Sequence, residues 1–224
     1  MSIKTWPTQE QPRERLIERG ADSLSEAELL AILLRSGIRG KDVVSLAREM
    51  LQASGGLRGL LALHPNELKK IKGLGPAKIA TLLAVSEMAK RQLKAEMIRK
   101  NVVRDPQSVL NYLTLSLRDA KREIFKVLFL DKGNRIIHEE NLFEGTVDEA
   151  AVHPREVVKA ALGYHATAVI LVHNHPSGRV QPSPEDREIT RKLQAACSTI
   201  SVRILDHIII GDNQYFSFNE HQML

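Results

Sequence analysis

His173-Asn174-His175-Pro176-Ser177-Gly178, followed by Ser183-Pro184-Glu185-Asp186, is the stretch around which the chain is organised. The run before it, Ala168-Val169-Ile170-Leu171-Val172, is apolar and predicts a buried strand. Side chains two apart on a strand share a face, so His173 and His175 project the same way. Pro176, Ser177 and Gly178 break the strand into a loop, and Ser183-Pro184 predicts a helix start with Asp186 in its first turn. That carboxylate can return to the histidines as a third ligand. Two imidazoles and one carboxylate suit zinc, and three protein ligands leave the open position typical of a catalytic centre. An open zinc lowers the pKa of its water towards ~7, which makes a nucleophile at neutral pH. Ser183 and Asp186 also have the spacing of a capping box, so helix capping by itself accounts for that pair.

His173-Asn174-His175-Pro176 with Ser183 and Asp186 resembles the JAMM motif of MPN-type metallohydrolases, His-x-His-Pro followed by Ser-x-x-Asp. With His153-Pro154-Arg155-Glu156 upstream and Asp206-His207-Ile208-Ile209-Ile210-Gly211 downstream, the form is similar to the RadC family of bacterial proteins over nearly the whole chain. The resemblance implies an MPN/JAMM domain, a mixed α/β sandwich with a curved sheet flanked by helices. It also implies a zinc-dependent hydrolase, a metallopeptidase or isopeptidase in which zinc-bound water attacks an amide. JAMM enzymes take their proton-transfer base from a glutamate at the junction of the first helix and first strand. Glu123, directly before Ile124–Leu130, occupies the equivalent place, and Glu156 competes for the role. Ser183, by the same resemblance, donates a hydrogen bond to the oxyanion of the tetrahedral intermediate, a service worth about 2.7–4 kcal/mol.

The composition bounds these readings. The chain has 224 residues, 43% hydrophobic and 26% charged, enough for one large or two modest soluble domains. No apolar run approaches the roughly 18 residues of a membrane span, and the amino terminus lacks the apolar core of a signal peptide, so a cytoplasmic location without membrane contact is expected. The single cysteine, Cys197, permits no intrachain disulfide and leaves any metal to nitrogen and oxygen ligands. Residues 1–100 hold 18 Lys or Arg against 11 Asp or Glu, a formal +7; residues 101–224 hold 14 against 16, a formal −2. The basic half is therefore the one suited to a polyanion.

Periodicity divides the chain near residue 100. Before it, Ser25 with Glu28 and then Asp42 cap helices whose apolar residues recur at helical spacing, and the whole region reads as all-helical. After it come a helix over 108–122, a strand over 124–130, a turn at Asp131-Lys132-Gly133-Asn134 and an antiparallel return over 135–143. A helix follows from His153-Pro154, then the histidine strand, the Pro184 helix, and strands at 202–205, 207–210 and 215–218. The fold class is thus α+β, a helical domain over 1–100 followed by the mixed domain over 101–224. His207, inside an apolar strand, reads as a structural histidine that Asp206 can orient.

Leu68-Lys69-Lys70-Ile71-Lys72-Gly73-Leu74-Gly75-Pro76-Ala77-Lys78 resembles a helix-hairpin-helix motif. Gly73 and Gly75 would let backbone approach a phosphate at the start of the Pro76 helix, with Lys72 and Lys78 adding salt-sensitive contacts. An ordinary tight helical hairpin with solvated lysines has the same pattern. The alternative to a hydrolase is accordingly a DNA-binding protein, associated with repair or recombination, whose metal site is structural or vestigial. A third reading, cleavage of DNA phosphodiesters, is disfavoured by the single carboxylate ligand, since nucleases commonly use two metals.

Overall fold

The computed structural model describes residues 6–98, 100–145 and 152–224. Contacts divide the chain into two compact units, 1–89 and 90–224. Among the described residues no helix is long and apolar enough to cross a membrane.

The first unit is helical. It contains α1 (Pro12–Arg19), α2 (Glu26–Leu34), α3 (Val43–Ser54), α4 (Leu57–Ala62), α5 (Pro65–Leu68) and the start of α6 (Pro76–Ile98). The cap signals read from the sequence are realised. Ser25 and Glu28 form a reciprocal capping box on α2, and the Asp42 carboxylate accepts from the Val44 and Ser45 amides at the start of α3. Leu30, Leu34, Val44, Ala47 and Met50 meet Leu60, Leu68, Leu74 and Leu82 in one core, against which Trp6 packs.

The second unit is a three-layer arrangement. Its elements are α7 (Pro106–Leu117), β1 (Glu123–Leu130), β2 (Ile136–Gly145), α8 (Pro154–Gly163), β3 (Ala168–Asn174), α9 (Pro184–Thr199), β4 (Arg203–Ile210) and β5 (Tyr215–Ser217). The sheet order is β2-β1-β3-β4-β5, antiparallel at every pair except the parallel β3–β4. Alternation assigns the two faces. Leu128, Leu130, Ile170 and Val172 pack under α7 and Met97, while Phe125, Val127, Phe129, Val169 and Leu171 pack under α8 and α9. Since β3 is covered on both faces and paired on both edges, each of its seven residues is buried, which is why that run is uninterruptedly apolar up to His173. The β1–β2 turn is the expected one: Asp131 Oδ1 accepts from Gly133 and Arg135 amides, and Asn134 takes a positive φ.

Two elements differ from their sequence reading: the helix expected over 108–122 ends at Leu117, and β4 is a single strand. Residues 202–205 and 207–210 read as separate strands but form the single strand β4. Val169 pairs with Ile204 and Ile170 with Asp206, so β4 carries one extra residue there. Such a bulge absorbs a residue without ending the ladder and re-aims the side chains beyond it. In consequence Ile204 and His207, three apart, both lie on the face of α8 and α9, and His207 pairs with Leu171.

Candidate metal centre

Three elements meet at the end of β3. Antiparallel register sets Phe125 of β1 opposite His173, and Glu123, two residues earlier, shares the face of Phe125. α9 brings Asp186 in from its first turn. The loop between β3 and α9 is held against the end of β4: the His175 amide donates to the Ile210 carbonyl and the Asp212 amide to the Gly178 carbonyl. A side chain at Gly211 would lie 2.4 Å from that Gly178 carbonyl, and Gly178 itself adopts φ +78°. Close approach and a left-handed backbone thus explain both glycines.

His173 Nε2 lies 2.9 Å from His175 Nε2, 3.1 Å from Asp186 Oδ1 and 3.9 Å from Glu123 Oε1. His175 Nε2 is 3.4 Å from Asp186 Oδ2. Ligands about 2.0–2.1 Å from a tetrahedral zinc stand roughly 3.3–3.4 Å from one another, so this convergence fits a shared cation. The donor set fits too, with two imidazoles, one carboxylate and a second carboxylate just beyond. His175 Nδ1 is 2.9 Å from the Arg179 carbonyl; a carbonyl only accepts, so Nδ1 carries a proton and Nε2 faces the cluster. Outer partners of this kind set the tautomer of a ligating histidine.

Electrostatics give the carboxylates different characters. Burial pushes the Asp186 carboxyl up, but the His173 and His175 imidazoles beside it outweigh that and hold the group far below the usual carboxylate range. Burial raises Glu123, and the Asp186 charge adds to that rise against the pull of both histidines. The Asp186 hydrogen bond raises His175. A carboxylate that stays ionised suits a ligand, and one that protonates more readily suits proton transfer.

Glu156 stands apart from this group: its side chain is 48% exposed and pairs with Arg155 at 3.1 Å. Ser183 completes the capping box, accepting from the Asp186 amide while its own amide donates to Asp186 Oδ2. The hydroxyl proton of Ser183 is not used in that box. Asp206 does not touch the His207 ring; its carboxylate accepts from the His207 and Asn219 amides and the Ser217 hydroxyl. The ring of His207 lies instead 2.9 Å from His173 Nδ1.

Asn174 was legible only as the spacer between two histidines. It is fully buried. Its Oδ1 accepts from the Ile124 amide at 2.9 Å, and its Nδ2 donates to the carbonyls of Arg122 at 3.1 Å and Ala120 at 3.4 Å. The segment that carries Glu123 is therefore clamped by the residue between the two histidines. Thr190 also escaped the motif reading, although it stands one helical turn after Asp186 and so shares its face; His207 was read as structural, without its link to His173.

In the first unit, Gly73 has φ +94° and its would-be Cβ lies 3.1 Å from Ile38 and Leu46 side-chain carbons, so backbone conformation and tight packing already favour glycine there. Gly75 and Lys72 are exposed, and Lys78 Nζ donates to the Ser36 carbonyl at 2.5 Å. The helix before this turn, α5, is a single turn of four residues.

Residues 103–223 match the family model of the RadC-like JAB domain, and residues 3–80 match the UPF0758 N-terminal model. The chain belongs to the RadC family. UPF0758 proteins of Marinomonas sp. (strain MWYL1) and Cellvibrio japonicus (strain Ueda107) are each 50% identical to it over 224 residues, covering all of both chains. A UPF0758 protein of Nitrosococcus oceani is 48% identical over the same length. In this RadC-like chain the motif histidines, the α9 aspartate and the β1 glutamate form the one cluster among the described residues that could hold a metal ion.

Two outcomes are expected. Asn174→Asp keeps the acceptor for the Ile124 amide but turns an oxygen towards two carbonyls; a loss of about 1–3 kcal/mol is expected in urea unfolding of the metal-free protein. Because Asp186 raises the His175 pKa, a proton competes with a cation at Nε2 from above the usual imidazole range. Zinc affinity, followed by chelator competition from about pH 8 down to pH 5, should fall as pH falls through that raised pKa.

Proposed function

We propose that this protein is a zinc-dependent hydrolase of the JAMM type, a metallopeptidase or isopeptidase that cleaves an amide bond. The observation that carries this is the convergence of His173, His175 and Asp186 with Glu123 at 3.9 Å, in a position where His175 and Glu123 are only half-buried and within reach of a substrate. His173, His175 and Asp186 would hold the ion. Zinc bound there supplies Lewis-acid polarisation of the scissile carbonyl and lowers the pKa of a water. Glu123, with its raised pKa, accepts the proton of the attacking water and returns it to the leaving nitrogen. Ser183 donates a hydrogen bond from its hydroxyl to the carbonyl oxygen as charge develops on it.

Metal content and turnover separate these roles. Wild-type protein loaded with zinc and dialysed is expected to retain about one ion per chain, and His173→Ala, His175→Ala and Asp186→Ala to lose it. Glu123→Gln should keep the ion and lose about 10²–10⁴-fold in hydrolysis of an isopeptide- or peptide-bond library. A folded wild type that takes up no zinc sinks the reading.

A second reading is favoured by the formal +7 of residues 1–100 and by the exposed start of α6 at Gly75, Pro76 and Ala77. There the helical unit contacts the DNA backbone through Lys72, Gly73, Gly75 and Lys78. Fluorescence anisotropy with a duplex should then show affinity that falls with salt, and Lys72→Glu should weaken binding equally for unrelated sequences. Affinity indifferent to both would remove DNA as a partner.

A further inference from the structure

We propose that Thr190 and His207 are positioning residues that fix which nitrogen of His173 is available to a cation, through a buried hydrogen-bond chain whose direction is set by the main-chain carbonyl of Asp186. The inference rests on the metal-centre reading above and deepens it.

The chain starts from a group that can only accept. Thr190 Oγ1 is 2.5 Å from the Asp186 carbonyl oxygen. Two oxygens that close repel unless a proton lies between them, so the Thr190 hydroxyl donates to Asp186, the back-bond common for threonine one turn on. With its proton committed, Thr190 Oγ1 can only accept from His207 Nδ1, which is 2.6 Å away. His207 therefore carries its proton on Nδ1. Its Nε2 is bare and accepts from His173 Nδ1 at 2.9 Å. That leaves His173 Nε2 without a proton, and Nε2 is the atom facing His175 and Asp186. Each tautomer in the series follows from the one before.

The opposite direction would be destructive. With the proton on His207 Nε2, His173 would have to accept at Nδ1 and carry its own proton on Nε2, aimed at the place where a cation belongs. Reorientation of the His207 ring is blocked on two sides: Phe218 stacks on it with centroids 4.8 Å apart, and Phe125 meets it edge-on at 5.8 Å. His207 and Thr190 are both closed to solvent, so no water substitutes for either partner. The chain also closes a ring. Asp186 offers its side chain to the ion and its main-chain carbonyl to Thr190, so the ligand from α9 sets the tautomer of the ligand from β3. Partners beyond the ligands are typically worth about 10–100-fold in metal affinity.

The test uses the full-length, metal-stripped protein and zinc. Long-range proton–nitrogen correlation spectra at neutral pH are expected to show His173 and His207 each protonated at Nδ1 and bare at Nε2. By chelator competition, Thr190→Val, which keeps shape and removes the hydroxyl, should bind zinc about 10–100-fold more weakly and show mixed tautomers at His207. Thr190→Ser should restore both. A wild-type His207 protonated at Nε2, or a folded Thr190→Val with wild-type zinc affinity, overturns the proposal and leaves the hydrolase reading standing. Wild-type protein that takes up no zinc overturns both.

Discussion

The antiparallel pairing of β1 with β3 is the constraint on which the rest of the second unit depends. It sets Phe125 against His173, and so brings the glutamate at the start of one strand to the histidine at the end of the other. Side chains alternate, so a slip of one residue would turn Glu123 away from His173 and drive Phe125, Val127 and Phe129 out of their core. Burial on both faces of the sheet therefore enforces the register that the site needs. Asn174 adds a polar lock at the place where the apolar pattern ends.

The far end of β3 is costly to build. His173, Asn174, Asp186, Thr190 and His207 are all buried beside a hydrophobic layer, and a polar group there is tolerated only when hydrogen-bonded. Each of the five has such a partner, and the partners are largely one another. On the opposite face a separate polar cluster has a different role. Glu139 of β2 accepts from Lys94 and from the Tyr112 hydroxyl, and lies 3.5 Å from Lys126, whose pKa burial holds down. This cluster ties α7 and the end of α6 to the β1–β2 hairpin, and it offers no group to the metal centre.

Chemistry follows from the unequal treatment of two carboxyls. Asp186 has two imidazoles and the Ser183 amide as close neighbours. Glu123 is half-buried with fewer of them, so its proton affinity rises. On the proposed hydrolase reading, one fold would thereby provide a ligand that stays charged and a base that can be refilled, with residues of the same chemical type. Ser183 bears on the first of these roles, since the cap that starts α9 also orients Asp186.

Much of this was legible in the sequence. Apolar runs, Ser25, Asp42 and Ser183 caps and the Asp131–Asn134 turn are local signals, fixed by interactions within a few residues, and they mark the elements and the strand-loop-helix that carries His173, His175 and Asp186. What local pattern cannot carry is pairing across the sheet. The bulge at Leu205 made β4 read as two strands, and with it the face of His207 was hidden, because only the partner strand reveals an extra residue. Glu123 was the favoured candidate in sequence and Glu156 its competitor; register put the first beside His173, while the second lies in the first turn of α8 with its side chain half exposed. The sequence by itself determined which residues could bind a cation, since that is a property of side-chain type and spacing. Tertiary structure alone decided which of them meet and which partner each nitrogen of His173 faces, because hydrogen bonds between residues 34 and 17 positions apart exist only once the sheet and α9 have closed around them.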